Sequence, residues 1–451
     1  MTLECLLEGH FVAVDVAGDL HTCCAAFPES YLKVRSGRTT GLYPLPFGVA
    51  QSPDGLDHPQ SQKLLRSPLF GFTHPNLGNL PACRGRVKDW QAARKAIGGE
   101  VAVDTSVVVM GVASELDTPG LGARFKSVLV ADELVNDARA AILWAREPVE
   151  GFAGYDSLSD RLTFTQIDQA QRQAIIEKAE KVSETLNGWQ KIRSGHLSPS
   201  DRHEAAERLK PWGASLLVAI SRGGCALWCD DLALRTLADQ WDIPTFGTWA
   251  LLEALSSDPE NPLPGPTTET KMRLLKAQIA DVPISLEELT LAAGDTHDDR
   301  IAVNSFLARP RIWVENPQIA LAWALHRVTE LHSGPHRQRV SGLVQAACYG
   351  WGTAAPPPAR NAVVGSVLGG AILTVGDPAT IPNLVTAARY AAHEIDPTGT
   401  LDPLPEAVKN MLNYLEASTG SGPAAQTLTL LFSEANPDDR RVVVSILLDD
   451  R

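Results

Sequence analysis

The chain has 451 residues, with 40 Lys plus Arg against 53 Asp plus Glu, for a formal net charge of −13 at pH 7. Apolar residues make up 44% and charged residues 21%, the composition of a soluble globular chain with room for two or three domains. Wholesale disorder and collagen-like chains are excluded, and 7 Cys in this length exclude a disulfide scaffold.

Cys5, Cys23, Cys24, Cys83, Cys225, Cys229 and Cys348 are odd in number and irregular in spacing. That suits reduced thiols and predicts a cytoplasmic protein. The N-terminus carries no basic leader. The longest apolar stretch, Ala362–Val375, falls short of the roughly 20 residues of a membrane span. It reads as a buried helix, and no membrane partner is expected. Net acidity argues against a surface that coats nucleic acid broadly, though not against a small basic patch.

Residues 1–98 read as an irregular, partly disordered segment with one short strand at Phe11–Val16. The pattern changes at residue 99. Glu100–Asp104 is a short strand ending on an acid, Ser106–Val112 begins a helix, Ser127–Ala131 is a second strand and Asp132–Arg146 a second helix. Residues 150–162 read as loop. Two longer helices follow, marked by Ile175, Ala179, Val182, Leu186 and Trp189, then by Leu209, Trp212, Leu216 and Ile220 at helical spacing. Cys225–Cys229 is a strand that opens onto Asp230 and Asp231. Helix, strand and helix then reach Leu255, and the alternation predicts a parallel sheet. Ser285 with Glu288 spells a capping box. From about 296 strands give way to helices near 316–331, 337–350, 361–374, 380–394 and 405–417, so 296–451 reads as an all-α region. Val442–Leu448 is ambiguous between strand and helix. His297–Asp299 reads as a solvated turn.

The acids sit where strands end. In a parallel sheet the carboxyl ends of neighbouring strands share one edge, so Asp104, Asp230 and Asp231 are predicted to converge. Asp137, on the helix after Ser127–Ala131, can face the same edge, with Asp132 and Glu133 as alternatives for that place. Two like charges about 4 Å apart repel by about 4 kcal/mol at an effective dielectric near 20. Such a group needs protons or a cation, and oxygen-only ligands suit Mg²⁺ or Mn²⁺. Arg235, one turn beyond the acids, and Arg222, just before the strand, are each placed to touch phosphate, the plain alternative being a surface Arg with no role. Trp228 and Trp249 read as core. A P-loop is absent: Gly365–Gly370 has no strand-loop-helix context and no Lys. No nucleotide cofactor is expected.

Val101–Val109 (VAVDTSVVV) resembles the opening of PIN-domain nucleases, an apolar strand, an Asp, then Thr/Ser and an apolar helix. Leu227–Ala238 (LWCDDLALRTLA) with Asp242–Leu255 (DIPTFGTWALLEAL) resembles that family's last acidic motif. The resemblance covers about residues 99–295, with the helices of 150–222 as an insertion. It implies a three-layer α/β/α fold with a mostly parallel sheet, and metal-dependent endonuclease chemistry, usually on RNA. Carried over by position, Asp104, Asp137, Asp230 and Asp231 are the metal-binding, catalytic acids. Thr105 or Ser106 orders the first loop, and Ser106, Arg235 and Thr248 are candidate substrate contacts. RNA is the expected substrate, with DNA the other possibility, and the helical half is expected to hold a protein partner. An effector role in a toxin or defence system fits this reading. The rival reading is a non-catalytic PIN-like scaffold. A haloacid-dehalogenase-type phosphatase also opens on a strand ending in Asp, but Ser106 stands where its general acid belongs.

Overall fold

The computed structural model describes residues 12–14, 20–23, 83, 87–146, 151–156, 161–166, 168–193, 213–223, 225–257, 265–277, 279, 281–294, 297–333, 339–396 and 399–449. The chain divides into two compact units, Met1–Glu288 and Leu289–Arg451. Most of the segment 1–98 read as irregular, and residues 200–212 of the second long helix, lie outside the described residues.

In the first unit Val12–Val14 (β1) and Leu20–Cys23 (β2) pair antiparallel. Val87–Ala96 (α1) is a helix within the stretch read as irregular. Glu100–Val103 (β3) leads into Thr105–Ser114 (α2), Thr118–Gly122 (α3), Ser127–Ala131 (β4) and Asp132–Arg146 (α4). Gly151–Asp156 (β5) and Arg161–Gln166 (β6) form an antiparallel hairpin where the sequence predicts a loop. The Gly and Asp residues of β5 carry little strand propensity, and the hairpin partner supplies the backbone hydrogen bonds instead. Gln169–Asn187 (α5), Gln190–Ile192 (β7), Ala214–Ser221 (α6), Ala226–Trp228 (β8), Leu232–Gln240 (α7), Thr245–Phe246 (β9), Thr248–Ser256 (α8), Thr268–Lys276 (α9) and Leu286–Ala292 (α10) follow. The capping box forms: the Ser285 amide donates to Glu288 Oε2 at 2.9 Å and the Glu288 amide to Ser285 Oγ at 3.1 Å.

Five strands make one all-parallel sheet in the order β7-β4-β3-β8-β9. Val101, Ala102, Val103, Leu129, Val130 and Ala131 are all fully buried. Such unbroken apolar runs, without alternation, are what a sheet covered on both faces requires. Burying each Val or Leu side chain stabilises by about 1.5–3 kcal/mol. Trp228, on β8, packs against Phe125, Phe246 and Trp189 at ring-centroid distances of 5.6, 6.4 and 6.3 Å. It is core, and so is the buried Trp249.

The strand order places the site. From β3 the chain moves one way through β4 to β7, then returns to the other side of β3 for β8 and β9. The order therefore reverses between β3 and β8. Connections leaving those two strands diverge and open a crevice at their carboxyl ends, where open α/β sheets bind ligands.

The second unit is helical: His297–Leu307 (α11), Pro310–Glu315 (α12), Pro317–Ser333 (α13), Val340–Ala354 (α14), Arg360–Val375 (α15), Ile381–Ile395 (α16), Leu404–Thr419 (α17), Ser421–Leu431 (α18) and Pro437–Asp449 (α19). His297–Asp299, read as a turn, begins α11, and the ambiguous Val442–Leu448 lies in α19. The run Pro357–Val375 is long and apolar enough to cross a membrane by length and composition. Here Val364, Val367, Leu368, Ala371 and Ile372 are buried within the unit. Gly365 lets α15 approach α17: a Cβ there would stand 2.7 Å from Glu406 Cβ and 3.0 Å from the Ala407 amide nitrogen.

Glu394 on α16 gives this unit a pH dependence. Burial raises its pKa from 4.5 to about 7. The folded state therefore keeps a proton that the unfolded state has released. Stability from this group is full below pH 4.5 and is lost as pH rises through about 7, by roughly 2–3 kcal/mol. Glu394→Gln should match wild type near pH 5 and exceed its stability near pH 8. Urea denaturation of both proteins across that range checks it.

Candidate active site

The crevice between β3 and β8 is built from helix starts. Asp104 follows β3 and is the N-cap of α2. Its amide donates to the Trp228 carbonyl at 2.9 Å, which extends the β3–β8 ladder by one bond. Asp230 and Asp231 follow β8 after Cys229. Asp231 Oδ1 accepts the Leu234 amide at 3.2 Å and so caps α7. The same geometry that makes acids good helix caps therefore brings them together at the switch point.

Ser106 ties these segments into one unit. Its hydroxyl donates to Asp104 Oδ2 at 2.6 Å and accepts the Asp230 and Asp231 amides at 3.0 and 3.1 Å. A hydroxyl has one proton and two lone pairs, so the two amides fill its acceptor capacity. Its proton goes to Asp104. The Cys229 thiol, 3.6 Å from the same oxygen, donates to the Asp231 carbonyl at 3.5 Å. Asp104 Oδ2 also accepts the Ser106 amide at 2.9 Å, and Asp104 Oδ1 accepts the Ser215 hydroxyl at 3.1 Å. Of the two residues expected to order the first loop, Ser106 does so. The buried Thr105 hydroxyl has no hydrogen-bond partner among the described residues. Ser215, in the first turn of α6, carried no sequence signal, because only the fold brings α6 to the end of β3.

Asp104 is 6% exposed and Asp231 3%. Burial pushes the Asp104 carboxyl above its ordinary pKa. The Ser106 bond opposes the shift and the Asp231 charge reinforces it. The two carboxylates thus sense each other in a poorly solvated crevice. Their donor set is hard oxygen, which fits Mg²⁺ or Mn²⁺. Mg²⁺ in particular is held by one or two carboxylates with substrate and water completing its shell.

Asp137, Asp230, Arg235 and Thr248 are all buried. Asp137 is buried on α4. Among the described residues no group of three or more His, Cys, Asp or Glu side chains is placed to hold a metal ion. Of the expected acids, Asp230 and Asp231 both lie near enough to Asp104 for their charges to act on one another. Asp230 turns its carboxylate to α8, where Oδ1 accepts the Thr248 amide at 2.6 Å and Oδ2 the Thr248 hydroxyl at 2.5 Å. Burial pushes Asp230 up to about 6, against those two bonds and the Arg235 charge. Arg235 is fully buried, and its Nη1 pairs with Asp89 Oδ2 at 3.1 Å. It is an internal cation, where the sequence reading put it against a substrate phosphate. Thr248 is buried as well, engaged with Asp230 and with the Trp228 indole N–H at 3.0 Å.

Residues 112–240 match the model of the PIN domain associated with the TPR-GreAB-C-PIN system. The matched span includes Asp137, Ser215, Asp230, Asp231 and Arg235; Asp104 and Thr248 flank it. No curated protein and no solved structure gives a significant match. The five-stranded parallel sheet with flanking helices, followed by a helical region, has the nuclease-like architecture that the PIN resemblance implies. Over residues 112–240 the chain is similar to a PIN domain family, as the sequence resemblance implies.

Proposed function

We propose that this chain is a metal-dependent endonuclease, acting on RNA, whose reaction centre is the Asp104–Asp231 pair. The observation that carries this reading is the convergence of these two acids at the switch point, tied through the Ser106 hydroxyl. When bound there, Mg²⁺ or Mn²⁺ supplies charge neutralisation and polarisation of a phosphodiester. The chain's own part is positioning. Asp104 and Asp231 hold the cation, Ser106 and Ser215 fix the Asp104 carboxylate, and burial excludes competing water. The preference for RNA over DNA rests on the PIN resemblance, as does a role as a triggered effector in the cytoplasm. The helical second unit is the candidate surface for a protein partner.

The test is cleavage of structured RNAs and single-stranded DNAs by the full chain, with Mn²⁺, with Mg²⁺ and with chelator. Metal-dependent cutting of RNA is the expected result. Cutting that survives chelation overturns the reading. One observation favours a non-catalytic module instead: each acid at this edge already serves a helix N-terminus, and no three-acid group is assembled among the described residues. Absence of Mn²⁺ binding by the wild type would decide for that module.

A further inference from the structure

We propose that the adjacent acids divide the work: Asp230 is a positioning residue that anchors α8 and screens Arg235, and Asp231 is the one of the two that faces the reaction. This rests on the nuclease reading and assigns roles within it.

The hydrogen bonds fix the orientation of Asp230. The Trp228 indole N–H can only donate, and it donates to Thr248 Oγ1. The Thr248 proton is therefore free to go to Asp230 Oδ2, and the Thr248 amide takes Oδ1. The side chain is 0% exposed. Both oxygens are spent on the first turn of α8, where the helix dipole favours an anion.

The space beside Asp230 is also closed and already positive. Gly247 precedes α8, and a Cβ there would lie 2.8 Å from Asp230 Oδ1 and 3.3 Å from Arg235 Nη1. The guanidinium therefore stands beside the Asp230 carboxylate and acts on its charge. A divalent ion at that carboxylate would meet a fixed like charge in a poorly screened interior. Arg235 in turn reaches Asp89 on α1, and α1 packs against α8, β8 and β9. The chain Thr248–Asp230–Arg235–Asp89 is a strut behind the crevice. Asp231 has a different anchor: its Oδ1 caps α7. Charge couples Asp104 to both acids, and couples Asp231 to Cys229 as well.

The experiment is Mn²⁺ titration of the full chain, followed calorimetrically and by the paramagnetic signal of free Mn²⁺, on wild type, Asp230→Asn and Asp231→Asn. Thermal denaturation is run on the same samples. Asp230→Asn should keep the Mn²⁺ affinity within about threefold, and Asp231→Asn should lose at least about tenfold with its melting temperature little changed. Equal loss in both variants overturns the assignment. Thr248→Val and Asp230→Ala test the strut independently of metal. Each should lower the melting temperature, and the double variant should fall by less than the sum of the two singles. Additive losses would overturn the strut. Thr248→Ser, which keeps both donors, should behave as wild type. If the wild type binds no Mn²⁺, the nuclease reading fails. The strut is then judged by the Thr248 and Asp230 melting data alone.

Discussion

Replacing Arg235 with alanine is expected to cost about 3–5 kcal/mol of stability. Both partners of the Arg235–Asp89 pair are 0% exposed, with the charged atoms 3.1 Å apart. The attraction repays the desolvation of the pair only while both members are present. Truncating the arginine leaves Asp89 buried without its cation, and Asp230 loses the charge that opposes its own burial. Asp89→Ala should be similarly harmful, because it leaves the guanidinium buried. Replacing both at once with apolar residues of similar volume should cost far less than either truncation. Urea denaturation of the two single variants and the double apolar variant measures this. Equal losses in all three would mean that packing, not charge, holds the site.

The same residues show where sequence reasoning reaches and where it stops. Asp104 was legible because an apolar run ending in Asp-Thr-Ser fixes a strand end and a helix cap together. The placement of Asp230 and Asp231 beside it followed from a single inference, that alternating strands and helices make a parallel sheet. The all-α second half was legible from helical spacing and caps. The roles of the adjacent acids were not. The orientation of Asp230 depends on Thr248 and Gly247, which the β8–β9 pairing brings to it, while Asp231 is anchored locally by the Leu234 amide. Arg235 read as a phosphate contact because its position on α7 gives no hint of Asp89, which lies on α1, 146 residues earlier, in a stretch punctuated by Pro and Gly. A local pattern can say that a charge stands near a site. It cannot say whether another charge, brought by the fold, has already claimed it.

Asp104→Asn should separate chemistry from architecture. If Asp104 holds the cation of the reaction, its loss removes several kcal/mol of transition-state stabilisation, a fall of about a thousandfold or more in cleavage rate. The fold should survive. Asn caps helices about as well as Asp. Its carbonyl can take over the bonds from the Ser106 amide and hydroxyl now made by Oδ2, at 2.9 and 2.6 Å. Its amide can donate to the Ser215 hydroxyl, which has acceptor capacity to spare. The substitution also removes a buried charge whose pKa is raised by that burial, so stability should hold or rise. Ser106→Ala should do the opposite to the fold. It deletes one bond to Asp104 and leaves the Asp230 and Asp231 amides without their acceptor, at about 1–3 kcal/mol for each buried group left unsatisfied. Cleavage rates and thermal denaturation on the two variants therefore give opposite signatures. Asp104→Asn should be inactive and as stable as wild type; Ser106→Ala should be impaired in both. An active, stable Asp104→Asn would show that this carboxylate caps a helix and does nothing more.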